Sequence, residues 1–257
     1  MPIVDAVFCG ARLRVSPALA ERLKAAHESL MAQWRASSNV PFAAWHGVRA
    51  SGSAGWRRAP SGFHGSGDAI DLNYPTNGYS VVRTTDSRGR VVYGGERAGA
   101  NLKGVREAFC GAVDRAMAAR GLGPADLAAR RPGESTADVW RRFKTASDAV
   151  AAYLAPYYGT SDAYDAGAAD VLPGVEVPAI IAADYHALRV PLVVGAPSSS
   201  PRLTRNPAVG LFDLRLPVVE ALCAQGLRWG MCDFGVGESG DAMHFDIGRR
   251  SQGTITR

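Results

Sequence analysis

The chain lacks most of the signals that announce a function. Its cysteines, Cys9, Cys110, Cys223 and Cys232, are widely spaced and form no CxxC pair. That excludes a cysteine-rich zinc site and a thioredoxin-like motif, and makes single buried thiols the default, with two disulfides as the alternative. No stretch approaches the roughly 20 consecutive apolar residues of a membrane span. Met1 to Ser16 holds Asp5, Arg12 and Arg14 without a long apolar core, so it does not read as a secretory leader. Dense Lys/Arg runs and interleaved aromatics are missing, which argues against a nucleic-acid partner. The net charge of +5 instead reads as a scattered, solvated basic surface suited to an anionic partner. There is no internal repeat and no low-complexity segment. Histidine is scarce, at five residues.

What is present is a chain long enough to bury a core without disulfides or a structural metal, with 257 residues of which 47% are hydrophobic. A metal, if bound, would therefore serve chemistry rather than folding. Ser16-Pro17 opens a helix in which Leu19, Leu23, His27, Leu30, Met31 and Trp34 form one buried face, so His27 is a packing residue. Phe42 to Arg49 reads as a short strand, and Ser51 to Pro60 as a loop. His64 to Leu72 runs from a glycine-rich loop into a strand. Tyr79 to Gly94 has two β-prone runs around Asp86-Ser87-Arg88-Gly89, a hairpin pattern. Leu102 to Arg120 and Ala137 to Tyr157 have helical spacing, with Ser135 as a cap for the second. Asp162 to Pro178 and Gly195 to Pro207 read as loops. A short helix from Pro217 to Ala224, stopped by Gly226, precedes strands at Leu227-Arg228-Trp229-Gly230 and Ala242 to Gly248. The expected fold is α+β: a small antiparallel sheet with flanking helices, in one domain of 257 residues carrying a large, mostly helical insertion at about 76–204.

Two of the histidines, His64 and His244, stand in dense polar and glycine contexts. A catalytic zinc takes three protein ligands and leaves one position open. His64 and Asp71 can supply two of them if a turn at Gly65 and Gly67 brings the aspartate back beside the histidine. Asp71 would then project from a strand, which places it rigidly. His244 can be the third ligand. Asp241, three residues earlier, can face a metal-bound water and act as general base, with Glu238 as a rival. Asp246 would share a strand face with His244 and could take a hydrogen bond from its second ring nitrogen. Cys232 ranks low as a ligand. His186 reads as a helix-surface residue, with an auxiliary place at the site as the alternative, and His46, just ahead of Arg49, is a candidate cleft residue.

These segments resemble the D-alanyl-D-alanine carboxypeptidases, D-Ala-D-Ala dipeptidases and phage L-alanyl-D-glutamate endopeptidases, a group that shares its zinc site with the hedgehog signalling domain. The resemblance rests on His64, Gly67, Ala69 and Asp71, then Trp229-Gly230, then Asp241, His244, Phe245 and Asp246, in family order and local spacing. Gly47-Val48-Arg49 looks like the upstream step whose arginine steadies a substrate oxygen in relatives, with Arg57 and Arg58 as fallback candidates. Two features depart from the family: Gly62 stands where relatives carry Ser, and the stretch between Asp71 and Trp229 is far longer than in the compact phage enzymes. The similarity covers roughly residues 15 to 75 and 205 to 250.

The resemblance implies a Zn²⁺ held by His64, Asp71 and His244, with Asp241 and Arg49 as catalytic groups. It implies hydrolysis of peptide bonds in bacterial peptidoglycan stem peptides, by a carboxypeptidase or endopeptidase. The expectation is a phage lysin or secreted antibacterial effector, made in the cytoplasm without a signal peptide. Export or delivery machinery would carry it to the periplasm or cell wall. The alternative is a non-catalytic, zinc-containing binding module of the same fold.

Overall fold

In the computed structural model the described residues are 2–58, 62–77, 83–85, 91–93, 100–127, 129–161, 171–189, 205–234 and 239–248. The chain opens with β1 (Val4–Phe8) and β2 (Ala11–Val15), followed by helices α1 (Pro17–Ser37), α2 (Phe42–His46) and α3 (Phe63–Ser66) and strand β3 (Ala69–Asp71). Next come β4 (Arg83–Thr85), β5 (Val91–Tyr93), α4 (Ala100–Ala118), α5 (Thr136–Tyr158) and α6 (Ala179–Arg189). The series ends with α7 (Leu216–Ala224), β6 (Arg228–Trp229) and β7 (His244–Asp246). Helices alongside small antiparallel sheets make this an α+β fold.

The chain packs into two compact units. The first comprises Met1–Asn73, Leu214–Gly230 and His244–Arg257, and the second Tyr74–Asp213 and Met231–Met243. The segment read as an insertion, about 76–204, falls inside the second.

In the first unit, β1 and β2 pair antiparallel from Val4↔Val15 to Phe8↔Ala11. Ala11, Leu13 and Val15 are buried while Arg12 and Arg14 face outward, the two-residue period of a half-buried strand. The connection is Cys9-Gly10, both at positive φ (49° and 82°), as a tight hairpin turn requires. Cysteine in place of the usual Asn or Asp hides this hairpin from a reading of turn residues. Helix α1 starts as expected: Ser16 accepts the Leu19 N–H at 3.3 Å, and Leu19, Leu23, Ala26 and Leu30 form the buried stripe. That stripe packs on β1 and on α7. Arg22 caps the far end of α7, donating to the carbonyls of Gln225 (3.0 Å) and Gly226 (2.9 Å).

The strand expected at Phe42 to Arg49 is instead the short helix α2. Its apolar residues do not alternate. Phe42 and His46 lie one helical turn apart with ring centroids 4.5 Å apart, and Phe42 also packs on Trp34 of α1. Gly47, at φ 70°, ends the helix by donating to the Ala43 carbonyl.

The sheet that matters most has the order β3-β7-β6. Its register pairs Asp71↔His244, Ile70↔Phe245 and Ala69↔Asp246, with Trp229↔Phe245 and Arg228↔Asp246 on the other side. Alternation then sorts the two faces. Ile70, Phe245 and Trp229 are fully buried, with the Trp229 and Phe245 rings stacked, while Asp71, His244, Asp246 and Arg228 share the opposite face.

In the second unit, α5 starts at Ser135 with a complete capping box to Asp138. One buried carboxylate ties three helices together. Asp184 of α6 accepts from Nε and Nη2 of the Arg115 guanidinium on α4 and from the Tyr153 hydroxyl on α5 at 2.9 Å. Tyr158 stacks on Tyr185 with centroids 3.6 Å apart. Strands β4 and β5 form the expected hairpin. Its turn, residues 86–90, lies outside the described residues, as do 162–170 and 195–204 of the two expected loops. No cysteine is in a disulfide.

Candidate metal centre

His64 sits on α3, a single helical turn. Gly67 ends that turn at φ 78° and swings the chain into β3, so that Asp71 returns beside His64. Only glycine fits there. A Cβ on Gly67 would lie 2.6 Å from Ile3 Cδ1 and 2.7 Å from the Ser16 nitrogen. The Gly67 carbonyl also accepts the Ser16 N–H at 2.8 Å, which fastens the turn to the start of α1. His244 enters from β7, directly opposite Asp71 in the ladder.

Three atoms converge: His64 Nε2, His244 Nδ1 and Asp71 Oδ1, each 3.2 Å from the other two. Ligands around a tetrahedral zinc at about 2.0–2.1 Å stand about 3.3 Å apart. Protonation sharpens the point. His64 Nδ1 is 2.9 Å from the Gly55 carbonyl, which can only accept, so Nδ1 carries the proton and Nε2 presents a lone pair. His244 Nε2 faces Asp246 Oδ2 at 3.4 Å, so Nδ1 likewise presents a lone pair. Burial works to raise the Asp71 carboxyl pKa. The His244 and His64 rings beside it outweigh burial and hold the group well below the usual carboxylate range. Three lone pairs thus face one point, the arrangement of a group that could hold a metal ion. Among the described residues, His64, Asp71 and His244 form the group able to hold a metal ion.

Each ligand has its own backing. Gly55 orients His64. Asp246 backs His244 and is itself gripped by Arg228 through a two-pronged pair at 2.8 and 2.9 Å, with the Gly248 N–H adding a third bond at 2.8 Å. Burial pushes the Asp246 pKa up, but these donors together with His244 bring it below the ordinary value. Arg57 backs Asp71 by donating to Oδ2. Asp246 was legible in the sequence as the alternating neighbour of His244. Arg228 was not, although it stands next to Trp229 in the strand that pairs with β7.

The loop at Ala54 to Trp56 fixes two ligands at once. Ala54 exchanges backbone hydrogen bonds with Asp71 at 2.9 and 2.8 Å, and Trp56 donates to the Arg14 carbonyl at 2.6 Å. Gly55, between them, is pressed onto β2: a Cβ there would lie 2.4 Å from the Arg14 carbonyl oxygen. Gly55→Ala therefore lifts the loop off β2 and moves the carbonyl that orients His64. We expect it to destabilise the fold by about 2 kcal/mol and, if the group holds a metal, to weaken its binding at least about tenfold. Denaturant unfolding and a zinc titration on the same preparation check both effects.

Arg49 follows α2, and its backbone is locked to the end of β3. Its N–H donates to Asn73 Oδ1 at 2.7 Å, Asn73 Nδ2 donates to the Gly47 carbonyl at 2.9 Å, and Ser53 donates to the Arg49 carbonyl at 2.8 Å. Asn73 is fully buried at φ 51° and lies two residues past Asp71, a positioning role the sequence reading did not find. Asp241 is half-buried with Oδ1 sealed from solvent. It belongs to the second unit, whereas His64, Asp71 and His244 belong to the first. Glu238 lies outside the described residues.

The remaining candidates have other roles. Cys232 is buried in the second unit, with Sγ between Asp233 (3.3 Å) and Arg130 (3.4 Å). His27 packs between Phe8 and Phe42 and accepts the Cys9 N–H at 3.3 Å. His46 is buried rather than set on a cleft wall. It accepts the Val48 N–H at 2.9 Å, and burial, with His27 and Arg215 nearby, lowers its pKa to about 4. His186 is exposed on α6, as expected, and Arg58 is exposed.

No family model, curated protein or solved structure matches this chain.

Proposed function

We propose that this chain is a zinc-dependent peptidase acting on the stem peptides of bacterial peptidoglycan. The observation that carries the proposal is the triangle of lone pairs from His64, Asp71 and His244, with 3.2 Å sides and a dedicated partner behind each ligand. One carboxylate and two neutral imidazoles are the donor set of water-activating zinc sites, and a bound zinc supplies Lewis-acid polarisation of a carbonyl and lowers the pKa of a water. The chain's own groups do the rest. Asp241 accepts the proton of the attacking water and returns it to the leaving amine, the work of a positioned carboxylate. Arg49 holds the scissile carbonyl or a nearby carboxylate; a guanidinium stays charged and forks onto oxygens, so it stabilises charge as it develops. Asp246 and Arg228 keep His244 in the tautomer that presents Nδ1.

The peptidoglycan assignment rests on the order of the motifs from His64 to Asp246 and on their resemblance to cell-wall peptidases. The mildly basic surface agrees with an anionic, wall-like partner. Delivery to the wall, as part of a lysis or secretion system, belongs to the same proposal.

The test is digestion of purified muropeptides and whole sacculi, read by mass spectrometry. We expect new stem-peptide fragments, each cleavage adding one water, lost on chelation and regained with zinc. Tight binding to sacculi with no new fragments would instead establish a non-catalytic module.

A further inference from the structure

Arg57 emerges from the loop that fixes the centre. Its backbone N–H donates to the His64 carbonyl at 3.2 Å, which ties it to α3. Its guanidinium donates to Asp71 Oδ2, the carboxylate oxygen turned away from the two histidines. The Asp71 side chain is 4% exposed and that of Arg57 50%. The two oxygens of Asp71 thus have separate partners: Oδ1 faces His64 Nε2 and His244 Nδ1, and Oδ2 faces Arg57. A carboxylate free to rotate can offer a metal either one oxygen or both, and a donor fixed on the outer oxygen removes the second option.

We infer that Arg57 is a positioning residue that restricts Asp71 to single-oxygen coordination and so keeps one coordination position open. This inference rests on the reading of His64, Asp71 and His244 as a metal centre. It assigns Arg57 a task that acts through Asp71, distinct from the substrate-facing task proposed for Arg49.

The experiment compares the wild-type protein with Arg57→Ala, Arg57→Lys and Asp71→Ala, each checked for folding by circular dichroism. Zinc affinity is measured by chelator competition, and the visible absorption of the cobalt(II)-loaded protein reports coordination number. Arg57→Ala is expected to weaken zinc binding about tenfold to a hundredfold and to lower the cobalt band as Asp71 swings to two-oxygen binding. Arg57→Lys, which keeps a donor for Oδ2, is expected to recover part of the affinity and most of the band intensity. If Arg57→Ala leaves both readouts unchanged, or tightens zinc binding, while Asp71→Ala weakens it, Arg57 is only a counter-charge and the inference is overturned. If Asp71→Ala leaves zinc binding unchanged, the metal centre itself is wrongly assigned and the inference falls with it. Should Arg57→Ala fail to fold, Arg57→Lys decides: a cobalt band that drops as far as complete loss of positioning predicts counts against the inference.

Discussion

On the proposed zinc-peptidase reading, replacing His244 with alanine is expected to lower stem-peptide hydrolysis by about a thousandfold or more, because carbonyl polarisation by a metal contributes several kcal/mol to the transition state and each 1.36 kcal/mol is a decade in rate. The same substitution should drop zinc affinity steeply, since one of three converging lone pairs disappears. The fold should survive. His244 lies on the polar face of β7, and the buried side of the sheet is built from Ile70, Phe245 and Trp229. Loss of His244 also leaves Asp246 with Arg228 and the Gly248 N–H, so its buried carboxylate keeps donors. Asp71→Ala should cost more in stability, because it strands the Arg57 guanidinium and opens a gap beside Ala54. Zinc titration, denaturant unfolding and muropeptide turnover on the two variants check these expectations. A His244→Ala protein that still binds zinc tightly and cuts at the wild-type rate would remove the basis for the proposed mechanism.

Asp241→Asn is expected to lower kcat by about a hundredfold to ten-thousandfold, the range for losing a positioned general base. Asparagine keeps the shape and most of the hydrogen bonding of aspartate but cannot accept the proton. Zinc affinity should stay near wild type, since among the described residues the group that could hold the metal is His64, Asp71 and His244. The pair of readouts separates Asp241 from the ligands: His244→Ala loses metal and rate together, and Asp241→Asn loses rate only. A drop in kcat of less than about threefold would transfer the proton-handling role to another carboxylate, with Glu238 as the first to examine.

How much of this was legible in the chain depends on the range of the interactions. Helix α1 could be read because Ser16, Pro17 and the Leu19, Leu23, Leu30 spacing act within a few residues of one another. The same holds for α7 and for the capping box of α5. Helix α2 was misread because its five residues are nearly all apolar, so alternation and helical period cannot be told apart over so short a span. The β1–β2 hairpin escaped because its turn uses Cys9 at positive φ, where sequence reasoning looks for Asn or Asp.

The metal site divides along the same line. The sequence by itself pointed to His64, Asp71 and His244 as candidate ligands, because a short turn through Gly67 and a strand alternation are local devices written in consecutive residues. It also pointed to Asp246, two residues from His244. Only the tertiary structure decided that His64 is oriented by Gly55, that Arg228 grips Asp246, that Arg57 takes the outer oxygen of Asp71, and that Asn73 pins the backbone at Arg49. Those partners are backbone carbonyls, or side chains delivered by strand pairing and loop packing. No spacing rule encodes them, because what brings them to the candidate site is the fold of the chain between.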